Sequence, residues 1–226
     1  MDLTPLDVLY EDNHLLAVAK PAGLATMGTP GGTPSLIEIA REYVRRKYAK
    51  PGKVYLGVMS RLDAPVTGVL LLARTSKAAS RLTEQFRSHT AQKVYWALVD
   101  GRIRPAAAEC VDWIRHDDRH RRVRIAQPGQ PGAKQCRLGF RTLRTVRGDS
   151  LLEVEPTTGR KHQIRIQLAR RGHPILGDRK YGSRRRWPSG IALHAGRLVV
   201  VHPVGGEPIV LEAPLPQSWP RAAAPE

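Results

Sequence analysis

Arg61 and Asp63 stand in the stretch "SRLDAPVTGVLLLAR", Ser60 to Arg74, just ahead of a Val-Thr-Gly turn and a run of leucines. A carboxylate held there can act as a nucleophile. Burial beside the leucines works against its charged form, and a nearby guanidinium works for it. Arg61 and Arg165 are the candidates for that second charge. A plain salt bridge closing a strand end is the simpler account of the same residues from spacing alone.

A second constellation is "TTGRKHQIRIQLA", Thr157 to Ala169. Thr157 or Thr158 can cap a helix whose N-terminus favours anions, with Arg160 and Lys161 adding charge. Ile164 and Leu168 fall one turn apart toward the core, and Arg165 lies beside that face. A basic surface helix is the simpler alternative. The third constellation is "QKVYWALVDG", where Tyr95 sits in a strand among apolar neighbours, as a core tyrosine or as a platform on which a base stacks.

Other signals fail. Cys110, His116, His120 and Cys136 match no common zinc spacing, and the arginines around them repel a cation. "GTPGGTP" lacks the Gly-Lys-Ser/Thr that completes a phosphate loop, and no Gly-x-Gly-x-x-Gly follows a strand. No Gly-x-Ser-x-Gly elbow is present. Neither a metal nor a nucleotide cofactor is therefore expected.

The elements that must position these residues read as follows. "VLYEDNHLLAVAK" gives two short strands around a polar turn, then a Gly- and Pro-rich loop from Pro21 to Gly32. "TPSLIEIAREYVRRKY" is an amphipathic helix with Thr33 at the N-cap and Pro34 in the first turn, its apolar face formed by Leu36, Ile37, Ala40 and Val44. Strand "VYLGVM" leads into the Asp63 motif and "GVLLLAR" out of it. Ser76 caps a second helix through about His89, with Ala79, Leu82 and Phe86 inward. Strands dominate from Glu109 to Val154, a third helix spans about Arg160 to Arg171, and the chain closes on strands. Runs of strands broken by a few helices indicate an α+β fold on a largely antiparallel sheet. One domain with two lobes is expected, ordered over about residues 7–216 with a flexible tail from 217 to 226.

Charge is the strongest global property: 37 Lys and Arg against 20 Asp and Glu give +17. Such an excess repels itself in the compact state and points to a polyanionic partner. It is clustered, in "RHDDRHRRVR" and "DRKYGSRRRW", and rich in Arg, whose planar fork suits phosphate. Nucleic acid leads a membrane surface, because no basic amphipathic helix stands out. No apolar run approaches the ~18 residues of a membrane span, and the acidic start lacks a signal pattern. Cys110 and Cys136 read as buried thiols of a reducing compartment, so the cytoplasm is expected.

In this order the motifs resemble the RluA family of RNA pseudouridine synthases over nearly the whole chain. "DNHLLAVAKPAGLAT" looks like its opening strand and Lys-Pro-x-Gly loop, "SRLDAPVTGVLLLAR" its catalytic motif, and "KVYWALVDG" its tyrosine strand. "TGRKHQIRIQLARRGHPILGDRKYG" looks like its arginine motif and "LHAGRLVVVHP" its closing strand. Two departures are Ser60, where the family usually has His, and Val66-Thr67-Gly68, where it often has Thr-Ser-Gly.

The resemblance implies a pseudouridine synthase fold, with the active-site cleft between two lobes, that isomerises uridine in rRNA or tRNA without cofactor; a monomer is expected because no exposed apolar stripe is evident. It makes Asp63 the nucleophile, sets Tyr95 against the target base, and pairs Arg165 with Asp63. Arg61 would enter the base stack, where a guanidinium recovers part of the few kcal/mol lost on extruding a base. Arg160, Lys161, His162, Gln163, Arg121, Arg122, Arg184 and Arg185 are the expected RNA contacts. Because the first strand begins near Met1, no separate RNA-binding domain is expected ahead of the catalytic one. An inactive RNA-binding module of the same fold is the alternative. A base-excising glycosidase needs a second carboxylate, for which Glu153 and Asp178 are the candidates.

Overall fold

The computed structural model describes residues 6–28, 33–120 and 122–220. By its contacts the chain divides into two compact units, Met1–Gln92 with Ala195–Pro214, and Lys93–His194 with Leu215–Glu226.

The first unit is built on β1 (Val8–Glu11), β2 (Leu15–Lys20), β3 (Gly57–Val58) and β4 (Thr67–Ala73), with β10 (Leu193–Val201) and β11 (Pro208–Glu212) added from the far end of the chain. β1 pairs antiparallel with β2, and β2 with β4 in a register that sets Leu15 opposite Ala73 and Lys20 opposite Gly68. β10 lies beside β4 and pairs antiparallel with β11. β4 is buried along its whole length, so its leucines carry no polar alternation. Leu15, Ala17, Val69 and Leu71 pack with Ala78, Ala79 and Leu82 of helix α2 (Ser76–Arg87) and with Leu198 and Leu211.

Helix α1 (Leu36–Lys47) buries Leu36, Ile37, Ile39, Ala40 and Val44. Both helices of this unit begin one or two residues from where they were expected. The cap of α1 is Ser35, not Thr33, because the Ser35 amide and hydroxyl both donate to the Glu38 carboxylate at 2.7 Å. The cap of α2 is Thr75, whose hydroxyl accepts from the Ala78 amide at 3.2 Å, and Ser76 is already helical. The strand expected over "VYLGVM" shrinks to Gly57 and Val58.

In the second unit β5 (Gln92–Val99), β6 (Ala107–Asp117), β7 (Arg122–Ala126), β8 (Lys134–Val146) and β9 (Asp149–Pro156) form an antiparallel sheet in the order β5-β9-β8-β6-β7. Arg147 and Gly148 join β8 to β9 with φ of 52° and 89°, the left-handed pair that a two-residue hairpin turn requires. Helix α3 (Gln163–Arg170) sets Ile166 against Ile114, Val123 and Cys136 of the sheet. Cys110 and Cys136 are free, fully buried thiols, and burial pushes the Cys136 thiol up to about 11.

α3 is shorter than expected: neither Thr157 nor Thr158 caps it, and its N-cap is His162 at φ 54°. The flexible tail expected from 217 does not begin there, since Trp219 is 6% exposed and meets Trp187 and His194 edge-on. Residues 221–226 lie outside the described part of the chain. Helices against antiparallel sheets give the expected α+β class.

Candidate active site

Asp63 lies in the turn between β3 and β4, half-buried, its carbonyl accepting from the Val66 amide at 3.0 Å. The residues on either side of it are tied to one loop. Thr26, itself buried, donates its hydroxyl to the Leu62 carbonyl at 2.8 Å and accepts from the Leu62 amide at 3.2 Å. The Ala64 carbonyl accepts from the Gly23 amide at 2.8 Å, with Gly23 at φ 84°.

Lys20 completes the grip. Its ammonium is 1% exposed and donates to the carbonyls of Pro21 and Leu24 at 2.8 Å each and of Ala64 at 3.0 Å. Burial lowers its pKa to about 8, against the opposing pull of the Asp63 carboxylate. A positive charge is therefore buried within electrostatic range of Asp63, with all three of its donors used. Sequence reading placed Lys20 in a motif but gave it no role; its two glycine- and proline-rich neighbours were the available signal.

Gly68 lets β4 start where it does. It has φ 115°, and a Cβ there would meet the Ala195 carbonyl oxygen at 2.2 Å, so the Val-Thr-Gly of the motif needs its glycine for space as well as conformation. Ser60 is half-buried and Arg61 is exposed.

In the second unit Tyr95 is half-buried in β5, opposite Val154 of β9. Arg165 is buried on α3, held by a bidentate pair with Asp178, Nε to Oδ2 at 2.6 Å and Nη2 to Oδ1 at 2.8 Å. Its guanidinium also lies 5.1 Å from the centre of the Tyr181 ring. The Tyr181 hydroxyl accepts from the Val123 amide at 3.0 Å and meets His162 Nδ1 at 2.7 Å. Asp178, just before the short 3-10 turn Arg179–Tyr181, and Tyr181 within it thus help to orient Arg165. Asp178 is 1% exposed and occupied, and Glu153 pairs with Arg141 at 2.7 Å, so both candidate second acids of a glycosidase are committed elsewhere.

One expected RNA contact is corrected. Gln163 is 4% exposed, and its amide accepts from Thr158 and the Arg160 amide and donates to the Arg137 carbonyl, so it builds the loop rather than facing a ligand. Arg185 reaches Asp149 at 3.2 Å and Asp100 at 3.6 Å. His162 is half-buried and meets the Tyr181 hydroxyl through Nδ1. Arg160, Lys161 and Arg184 are exposed and Arg122 half-buried, while Arg121 lies outside the described residues. Among the described residues no cluster of His, Cys, Asp and Glu could hold a metal ion, and no helix is long and apolar enough to cross a membrane.

The sequence model described as RNA pseudouridylate synthase matches residues 14–170, which takes in the Lys20 loop, Asp63, Tyr95 and Arg165. The chain belongs to that family. Its members are isomerases acting on RNA. Relatives of the pseudouridine synthases include the tRNA pseudouridine synthase C of Salmonella typhimurium, 34% identical over 96% of this chain and 88% of that protein. The ribosomal large subunit pseudouridine synthase D of Xylella fastidiosa is 34% identical over 94% of this chain and 67% of that protein. An RNA pseudouridine synthase of Synechocystis is 35% identical over 94% of this chain, which spans 66% of that protein's length. The fold matches the human RNA pseudouridylate synthase domain containing 4 with a TM-score of 0.77 at 24% identity, over 93% of this chain and 89% of that one.

Proposed function

We propose that this chain converts uridine to pseudouridine in structured RNA with Asp63 as the nucleophile. The observation that carries the reading is the grip on Asp63: the residues on both its flanks are bonded to the Lys20 loop, with the Lys20 charge buried close by. A reacting group must be held within fractions of an ångström to be effective, and a loop closed by hydrogen bonds on both sides does that.

In this reading Asp63 attacks the target uridine, at the ribose C1′ or at the base, and the bond between N1 and C1′ breaks. The uracil turns while still bound, C5 forms a new bond to C1′ and gives up its proton, N1 takes up a proton in exchange, and the aspartate is released. No atom is gained or lost, so no cofactor is consumed. Tyr95 lies against the base and takes part in removing the C5 proton. Arg165 pairs with Asp63 and keeps it ionised. A guanidinium has five N–H donors, and Asp178 engages it at Nε and Nη2, so a second carboxylate can be served by a fork already fixed in direction.

Exposed Arg61 enters the stack that the target nucleotide leaves. Arg160 and Lys161, also exposed, contact phosphates. The relatives are named for both tRNA and large-subunit rRNA, and both are substrate classes for this chain, acting as a monomer in the cytoplasm. The test is incubation of the protein with transcribed tRNA and large-subunit rRNA fragments, followed by chemical modification and primer extension to map pseudouridine. New stops at discrete uridines support the reading; bound RNA without stops makes the chain an inactive binding module.

A further inference from the structure

The segment between the Tyr181 turn and β10 carries three consecutive arginines, Arg184, Arg185 and Arg186, followed by Trp187. All three are exposed, and only Arg185 has carboxylate partners among the described residues. Arg185, itself half exposed, pairs with the buried Asp149 at 3.2 Å and with Asp100 at 3.6 Å, and Asp149 is fixed by accepting from the Gly101 amide at 3.1 Å. Trp187 meets Trp219 edge-on at 5.4 Å, Trp219 meets His194 at 6.3 Å, and His194 stacks on Trp96 of β5 at 5.6 Å. Beneath the loop, Gly177 has φ 84° and space for no Cβ, which would fall 2.6 Å from the Trp187 Cβ. The loop is thus held at the middle of the arginine run by Arg185 and just after it by Trp187. Arg184 and Arg186 remain exposed beside the pinned residues, without a carboxylate partner among the described residues.

Exposed arginines are ordinarily solvated and mobile, and fixing one against a ligand costs side-chain and loop entropy. A loop already held by an ion pair and an aromatic stack has lost most of that freedom before the ligand arrives. We infer that Arg184 and Arg186 form a preorganised clamp for RNA phosphates, with Arg185, Trp187 and Trp219 as the positioning residues that hold it. The inference rests on the proposed action on RNA and names a surface through which that RNA is held. The net charge of +17 supplies the long-range attraction, and the pinned pair converts it into a fixed contact. Trp219 gives the C-terminal segment a purpose in this surface, since it is the wedge on which Trp187 rests.

The test is binding of the full-length protein to transcribed tRNA and to large-subunit rRNA fragments, measured across a salt series. Arg184→Ala with Arg186→Ala should lower the slope of log affinity against log salt by about 2, one for each phosphate contact. Trp187→Ala keeps every charge, so its slope should be unchanged while its affinity drops several-fold and the loss in turnover falls on KM rather than kcat. Trp187→Phe should restore most of that affinity, which a merely unfolded loop would not. An unchanged affinity and slope in the double variant overturns the clamp. So does a double variant that loses binding to anionic vesicles but not to RNA. Wild-type protein that binds neither RNA with salt dependence overturns the clamp and the proposed function together, whereas RNA binding that ignores the double substitution overturns the clamp alone.

Discussion

The Lys20 ammonium donates to the carbonyl of Ala64 at 3.0 Å, across 44 residues of sequence. That bond places a buried cation at the backbone adjoining Asp63. It also makes the first loop of the chain a structural part of the turn that carries the carboxylate.

Lys20→Met should separate activity from stability. The variant loses three donated hydrogen bonds but no longer has a charge to bury, and these effects oppose each other, so urea unfolding should shift by less than about 2 kcal/mol. The Asp63 turn, however, loses one of its ties, and small misplacements of a reacting group cost about 100-fold. Single-turnover pseudouridine formation and urea unfolding on the same preparation check this. A loss of activity matched by global unfolding would contradict it.

The depressed pKa of Lys20 has a signed consequence. It is lowered from 10.5 to about 8 in the folded chain. Below about pH 8 both folded and unfolded states hold the proton, and the burial penalty is present in full. Between about 8 and 10.5 only the unfolded state holds it, so stability rises with pH, by about 3 kcal/mol at the limit. Wild type should therefore gain stability relative to Lys20→Met as pH is raised from 7.5 to 10, in paired urea titrations. Turnover should move the other way, falling above about pH 8 as the charge near Asp63 is lost.

Asp178→Asn keeps the shape of the side chain and removes its charge. Arg165 and Asp178 are both almost fully buried, and breaking such a pair from one side leaves an uncompensated charge, at a cost of about 3–5 kcal/mol. Urea unfolding should show a loss of that order, and Arg165→Met in the same chain should recover part of it. An additive loss in the double variant would mean the two residues do not act as a pair.

Local pattern made much of this legible. The leucine run after Gly68 is a fully buried strand, and the apolar spacing of α1 and α2 places their inward faces correctly. Caps were less legible, because a cap is decided by which side chain meets which amide: Ser35 wins over Thr33 through Glu38, a Ser-x-x-Glu pattern present in the sequence. The largest omissions are long-range. The Gly- and Pro-rich loop marks Lys20 without naming its partner Ala64, and nothing near Thr26 or Trp219 announces contacts to Leu62 or Trp187. Gln163 is a typical ligand-binding residue type, and it is the hydrogen bonds formed on folding that commit it to the scaffold.

The central claim is that Asp63 breaks the glycosidic bond, and Asp63→Asn tests it most directly. The substitution keeps the size of the side chain and removes its nucleophilic charge. With an RNA that the wild type modifies, single-turnover mapping by chemical modification and primer extension should show no pseudouridine from the variant, while its RNA affinity stays within a few-fold of wild type. Pseudouridine formation at the wild-type rate by Asp63→Asn would contradict the account.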